Sequence, residues 1–381
     1  MANSETVSLK SERGATRATL SEGLPQQLAY ERRKPMRYLL CRPRGGLNDT
    51  LCRVQLCIET AARDNRHLII DTSESGLMGQ FSDFFTLEDR LLSEGHTPTM
   101  DSELLGRLEG LNTDPKYISE EIGLRAFLSL RWAERRLIAQ AHGRRGVGAD
   151  LTSDSPSELR YYEAPGGGPL AYRLLRAARV SEKVRQAVLI ANRQLPARYI
   201  AAHIRATDYQ APVDDFLRRL RRQPLSLPLV VLSDNQAVVD HARKVFRKRE
   251  FLAIARPEVP REGLPLHKRS QYKSSAAAAE ATVASLVDLF ILSRSDVLYL
   301  PFLDTRTTKG VLKLSGFSRL AAHLQTFPEV SRAFFGVDVQ ANPDPENQPE
   351  VHILSSPYRL WRAGEDRRLS PHVAWRSRWA E

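Results

Sequence analysis

The chain has 381 residues and a net charge of +11, with 42% of its residues hydrophobic, 27% charged and 7% aromatic. That is the composition of a soluble globular protein with room for two domains. No stretch approaches 18 uninterrupted apolar residues, and the best candidate, residues 284–300, contains Asp288, Arg294 and Asp296, so no membrane-spanning helix is expected.

Residues 1–36 have no apolar core, which argues against a secretory signal, and Glu5 and Glu12 argue against a transit peptide. A flexible tail is expected there. Residues 38–41 (YLLC) read as a buried strand, followed by the loop RPRGGLND and a helix from about Thr50 to Asp64. Leu51, Val54, Ile58, Ala61 and Ala62 fall at helical spacing, and Asn48 or Asp49 can cap the helix. Residues 67–71 (HLIID) form the next strand, so this is a β–loop–α–β unit in a parallel sheet. Cys41, Cys52 and Cys57 match no zinc spacing and are odd in number, which predicts buried free thiols in a reducing cytosol.

Residues 80–145 read as helices and loops, with a long helical pattern over 118–140. The Gly-, Ser- and Pro-rich stretch 146–169 is the linker candidate. A second alternating region follows: helix 171–193, strand 199–204, basic helix 213–222, strand 229–233, helix 236–247 and a short strand at 251–254. After a Pro-rich basic loop over 256–275 comes helix 276–293, with Val283, Leu286, Val287, Phe290 and Ile291 on one face and Glu280 and Asp288 on its solvated side. Strand 297–300 and a helix opened by Ser315-Gly316-Phe317-Ser318 complete the pattern of two βα domains side by side.

The strand over 199–204 runs into His203-Ile204-Arg205-Ala206-Thr207-Asp208. Open α/β sheets bind ligands beyond the carboxyl ends of their strands. An arginine there offers a rigid fork of donors matched to phosphate, so an anion site is expected. Gly46 and Asn48 sit in a turn where backbone can approach a ligand and a helix start offers free N–H groups, although an ordinary tight turn explains them equally. Ser315 and Ser318 flank another helix start, where capping is the plain reading. Asp234 at a strand end would hold a ribose or base edge, or cap the helix that follows. The dinucleotide fingerprint, the P-loop, paired carboxylates, a nucleophile elbow and a metal-ligand cluster are all missing from the sequence. The basic residues are spread along the chain without a helix-turn-helix or zinc finger, which favours a phosphate site over a nucleic-acid groove. Trp361, Trp375 and Trp379 among C-terminal arginines allow a peripheral contact with a membrane surface.

In order, GGLND after the first strand, HIRATD, SDN at a strand end, LFILSRSDVLYL and SGFSRLA resemble the fucosyltransferase superfamily that includes nodulation-type and core α1,6-fucosyltransferases and protein O-fucosyltransferases. The resemblance covers residues 37–325. It implies an α/β GT-B fold, two Rossmann-like βα domains facing a cleft: a 1–36 tail, a 37–165 acceptor-side domain, a 166–335 GDP-sugar domain and a 336–381 extension. It further implies GDP-fucose as donor, inversion at the anomeric carbon, and no metal or other cofactor. By the same resemblance Arg205 would neutralise the β-phosphate, and His203 and Asp208 would serve the donor side. Asp234 would hold the nucleoside, Ser315, Phe317 and Ser318 would line the diphosphate pocket, and Gly46 and Asn48 would approach from the first domain. Asp49 is the candidate base. The α1,6-type enzymes carry two adjacent arginines, and the second position here is Ala206, a departure that bears on linkage. The expected activity is transfer of fucose, or a related sugar, to a glycan or lipid-linked acceptor by a cytoplasmic enzyme with room for peripheral contact at the inner membrane. The rivals are a catalytically degenerate GDP-sugar or glycan-binding protein and a basic nucleic-acid-binding protein.

Overall fold

The computed structural model describes residues 35–88, 91–207, 211–252, 272, 274–302, 314–337 and 349–354. Residues 1–34 of the predicted 1–36 tail, Asp208, residues 253–254, most of the basic loop over 256–275 and the C-terminal run of Trp and Arg lie outside the described residues.

Strand β1 (Tyr38–Pro43), helix α1 (Leu47–Asp64) and strand β2 (His67–Ile70) form the predicted parallel unit. Strand β1 is buried along nearly its whole length, as a central parallel strand covered on both faces must be. Helix α1 begins earlier than its apolar spacing suggests. Gly46 takes the cap position; Asn48 falls inside the first turn, and Asp49, three residues past the cap, bonds back to the Gly46 N–H as its capping-box partner. Cys41, Cys52 and Cys57 are buried free thiols on these elements. Next come helix α2 (Phe81–Phe84), strands β3 (Phe85–Leu87) and β4 (His96–Thr97), helix α3 (Ser102–Leu108) and strand β5 (Thr113–Asp114). A π-helical turn over Ile118–Ile122 leads to helices α4 (Leu124–Ser129) and α5 (Trp132–Ala141). The single helix predicted over 118–140 is thus broken. Gly123 adopts φ +86°, a conformation that favours glycine, and donates its N–H to the Ile118 carbonyl at 2.7 Å.

The predicted linker also needs correction. Strand β6 (Leu159–Ala164) lies inside it and pairs with β1 along six residues. Its polar letters misled: Arg160 bonds Asp64 at 2.9 Å, and Glu163 receives Arg135 at 2.9 and 3.0 Å, so these charges are buried as pairs rather than solvated. The first sheet is entirely parallel in the order β4-β2-β1-β6-β5.

Helix α6 (Leu170–Ala177), strand β7 (Ala178–Val180) and helix α7 (Glu182–Gln194) replace the one helix predicted over 171–193. The break occurs because β7 pairs antiparallel with β3, a long-range contact invisible to local periodicity. Strand β8 (Ile200–Ile204), helix α8 (Val213–Arg221), strand β9 (Leu229–Ser233), helix α9 (Gln236–Val245), helix α10 (Ser275–Arg294), strand β10 (Val297–Pro301), helices α11 (Gly316–Thr326) and α12 (Pro328–Phe335) and strand β11 (Glu350–Leu354) build the second sheet. Its order is β11-β10-β8-β9, again all parallel. The strand predicted at 251–254 is a single bridge between Phe251 and Leu229.

The largest apolar cluster runs through both sheets, from Leu39 and Ile70 through α6 and α7 to Leu298 and Leu320. Smaller clusters cover the outer face of each sheet. By length and composition α10 could cross a membrane. In the fold every residue over 286–293 is buried against neighbouring helices, which makes it a core helix. Asp288 is therefore buried at 8% exposure, not solvated as its position on the helix suggested, whereas Glu280 is exposed and pairs with Lys183 at 2.6 Å.

Candidate functional site

A cleft of about 410 Å³ opens where the loops beyond β1, β2, β8, β9 and β10 converge. Each sheet presents its strand carboxyl ends to it, the location that parallel α/β topology favours for ligands.

The first wall is the loop after β1. Gly45 has φ +97°, and a Cβ there would stand 2.6 Å from Asp49 Oδ2, so both backbone and packing demand glycine. The Gly46 N–H donates to Asp49 Oδ2 at 3.1 Å, which fixes the start of α1. A Cβ on Gly46 would meet no protein atom within 4 Å. Asn48 is gripped from two sides. A Cβ on Gly167 would come within 2.1 Å of its Nδ2, and one on Gly316 within 2.9 Å of its Cβ. Its Oδ1 is buried and has no hydrogen-bond partner among the described residues.

The second wall joins β8, β9 and α11. His203 Nδ1 lies 2.9 Å from Ser318 Oγ, and Ser318 Oγ lies 2.7 Å from Ser315 Oγ. Ser315 caps α11, accepting the Ser318 N–H at 2.9 Å, and the Phe317 ring sits 5.0 Å from the His203 ring. Arg205 Nε stands 3.1 Å from Asp234 Oδ2. The same carboxylate accepts the Ala206 N–H at 2.7 Å and the Thr207 hydroxyl, so Asp234 organises the strand-end motif. It is not a helix cap: Asn235 caps α9, accepting the Ala237 N–H at 3.0 Å.

No family model matches this chain, and no curated protein matches it in sequence. Solved structures do. Fucosyltransferase NodZ from Bradyrhizobium superposes with a TM-score of 0.50 at 17% identity, over 76% of this chain and 92% of that one. NodZ α-1,6-fucosyltransferase co-crystallised with GDP gives 0.51 at 16% identity, over 77% and 94%. NodZ soaked with GDP-fucose gives 0.50 at 18% identity, over 76% and 93%. The chain has the GT-B fold of the fucosyltransferases.

Within this GT-B fold residues of the segments GGLND, HIRAT, SDN and SGFS, far apart in sequence, reach one cleft. Gly46, Asn48, Asp49, His203, Arg205, Asp234, Ser315 and Phe317 all line it, and Ser318 stands behind His203. Asp208 lies outside the described residues.

Several cleft residues escaped sequence reasoning. Thr282, Ser285 and Asp288 enter from α10, residues 76–78 from the loop after β2, Gly167 from the stretch read as a linker, and Arg319 from α11. The Thr282 hydroxyl donates to the Leu77 carbonyl, and the Gly76 N–H to the Gly45 carbonyl at 2.7 Å, which pins the loop after β2 to α10 and to the first wall. Met78 follows in the left-handed region at φ +58°, a conformation that costs a non-glycine residue on the order of 1 kcal/mol. Asp288 did carry a signal: a lone carboxylate amid LVDLFILS is expensive to bury without a purpose. Among the described residues no three His, Cys, Asp or Glu side chains gather in a metal-binding group.

Proposed function

We propose that the protein transfers fucose, or a related sugar, from a GDP-sugar to a glycan or lipid-linked acceptor, with inversion at the anomeric carbon and without a metal. The observation that carries this reading is the position of Arg205, held by Asp234 at the end of β8 and facing the start of α11 across one cleft. The fold is that of NodZ, a protein crystallised with GDP and soaked with GDP-fucose.

In this reading the acceptor hydroxyl oxygen attacks the anomeric carbon as the bond from that carbon to the β-phosphate oxygen breaks. The bonding pair leaves with GDP. Charge building on the β-phosphate is met by the Arg205 guanidinium and by the N–H groups of Gly316 and Phe317, which helix geometry leaves without partners inside α11. The acceptor proton passes to the Asp49 carboxylate, fixed at the cleft edge by Gly46. With Asp234 bonded to its own motif, the buried Asp288 carboxylate is the better acceptor for the N–H donors of the guanine edge.

The test is thermal stabilisation by GDP, GDP-fucose, GDP-mannose, UDP and ADP with EDTA present, followed by donor turnover with saccharide acceptors. Stabilisation by GDP and GDP-fucose over UDP and ADP supports the reading. Silence towards all five sinks it, and selective GDP binding without turnover on a broad acceptor panel favours a degenerate binding protein, for which the uncharged Ala206 is the structural motive.

A further inference from the structure

As seen from the cleft, Arg205 is not a whole positive charge. Asp234 stands 3.1 Å away, and an ion pair presents little net charge to a third group. The next position adds nothing, because Ala206 is uncharged and packs against the apolar cluster of the second sheet. A departing diphosphate gains negative charge as its bond breaks, so a second cation is wanted on the same wall.

Arg319 closes the first turn of α11, its N–H donating to the Ser315 carbonyl at 3.0 Å. It is half-buried and lines the same cleft as Arg205, His203 and Phe317. Its Nε makes one long contact with the Leu314 carbonyl at 3.4 Å, and no carboxylate among the described residues pairs with its guanidinium. The position is also electrostatically awkward. A cation at a helix start opposes the macrodipole, and α11 has no acidic residue in its first turn to relieve it. An anion held between Arg319 and the helix start removes both penalties at once.

We propose that Arg319 is the second cation of the donor site, a guanidinium that takes the β-phosphate oxygens Arg205 does not reach. The inference rests on the GDP-sugar reading above. Calorimetry of guanosine, GMP and GDP against the wild type, Arg319→Ala, Arg319→Lys and Arg205→Ala separates the two. Arg319→Ala should weaken GDP about tenfold or more while guanosine and GMP change less than about twofold, a preference equivalent to one charge-assisted contact. Arg319→Lys, which keeps the charge and cannot bind as a fork, should recover part of the loss. Wild-type affinity for GDP in Arg319→Ala overturns the inference and leaves the GDP-sugar reading standing. Equal loss of GMP and GDP overturns it too, because the contact would then not be to the β-phosphate. A wild type that binds none of the three sinks both.

Discussion

Asp234 Oδ2 lies 3.1 Å from Arg205 Nε, and this pair ties the end of β8 to the end of β9. The carboxylate also takes one N–H and one hydroxyl from the same motif, so it aims the guanidinium as well as neutralising it. Asp234→Asn keeps one acceptor but loses the charge and half the bonding pattern. Donor turnover should fall at least tenfold, with a stability loss of about 2 kcal/mol from buried donors left unpaired. Arg205→Ala should abolish turnover and leave the fold intact, since Asp234 keeps its other two donors. Single-turnover kinetics beside urea unfolding reads both, and an Asp234→Asn protein with wild-type turnover contradicts the positioning role.

His323 makes the fold sensitive to acid below about pH 6.5. It lies on α11 at 3% exposure, stacked on Tyr172 with ring centroids 4.2 Å apart, and Phe327 covers it at 4.8 Å. Neither ring nitrogen has a hydrogen-bond partner among the described residues. Burial, with a smaller push from Arg176, lowers its pKa from 6.5 to about 4. The unfolded chain therefore binds the proton first, and stability falls as the pH drops from about 6.5 towards about 4. At pH 5 the loss from this one group should be about 2 kcal/mol relative to pH 7. His323→Phe should flatten that part of the profile, measured as unfolding midpoints between pH 5 and 7. An unchanged slope assigns the acid sensitivity elsewhere.

Legibility in the sequence followed locality. The strands β1, β2, β8, β9 and β10 were readable because central parallel strands are short apolar runs bounded by turns. Strand β6 was not, because Arg160 and Glu163 find partners on other elements, Asp64 on α1 and Arg135 on α5. The same blindness to distant partners fused α6 with α7 across β7. In the cleft, residues directly after strands or at helix starts were legible, since topology alone brings them there. Asp288 and Arg319 were missed because which face of a helix meets the cleft is decided by packing of both sheets against α10 and α11.

Two glycines next to the first sheet, Gly148 beside β6 and Gly46 after β1, should behave oppositely. A Cβ on Gly148 would stand 2.7 Å from the Glu163 nitrogen and the Tyr162 Cα, atoms of the β6 backbone that cannot turn aside. Gly148→Ala should cost about 2–3 kcal/mol through overpacking. Gly46→Ala meets no protein atom and should cost under about 1 kcal/mol as a poorer helix cap. It places a methyl group in the cleft, however, so GDP-sugar binding should weaken while the unfolding midpoint barely moves. Comparable destabilisation by both substitutions refutes the distinction.

Glu163 is the anion on which the inner charges of the first sheet depend. It is 1% exposed and accepts Arg135 Nε at 2.9 Å and Nη2 at 3.0 Å, Arg44 Nη1 at 3.0 Å and the Tyr161 hydroxyl at 2.5 Å. Burial first, then Glu163, drives the Tyr161 phenol far above its ordinary range, so it stays a donor. Glu163→Gln leaves the fully buried Arg135 guanidinium only a long 3.9 Å contact with the half-exposed Glu74, and breaking such a buried pair costs about 3–5 kcal/mol. Glu134, at the start of α5, pairs with the exposed Arg131 at 2.7 Å. Glu134→Gln should bring no measurable change, because water and salt already screen that contact. Urea unfolding of the two variants side by side compares a buried and an exposed carboxylate of the same sheet region, and a Glu163→Gln midpoint equal to that of Glu134→Gln would mean that Arg135 reorients to water when its partner is neutralised.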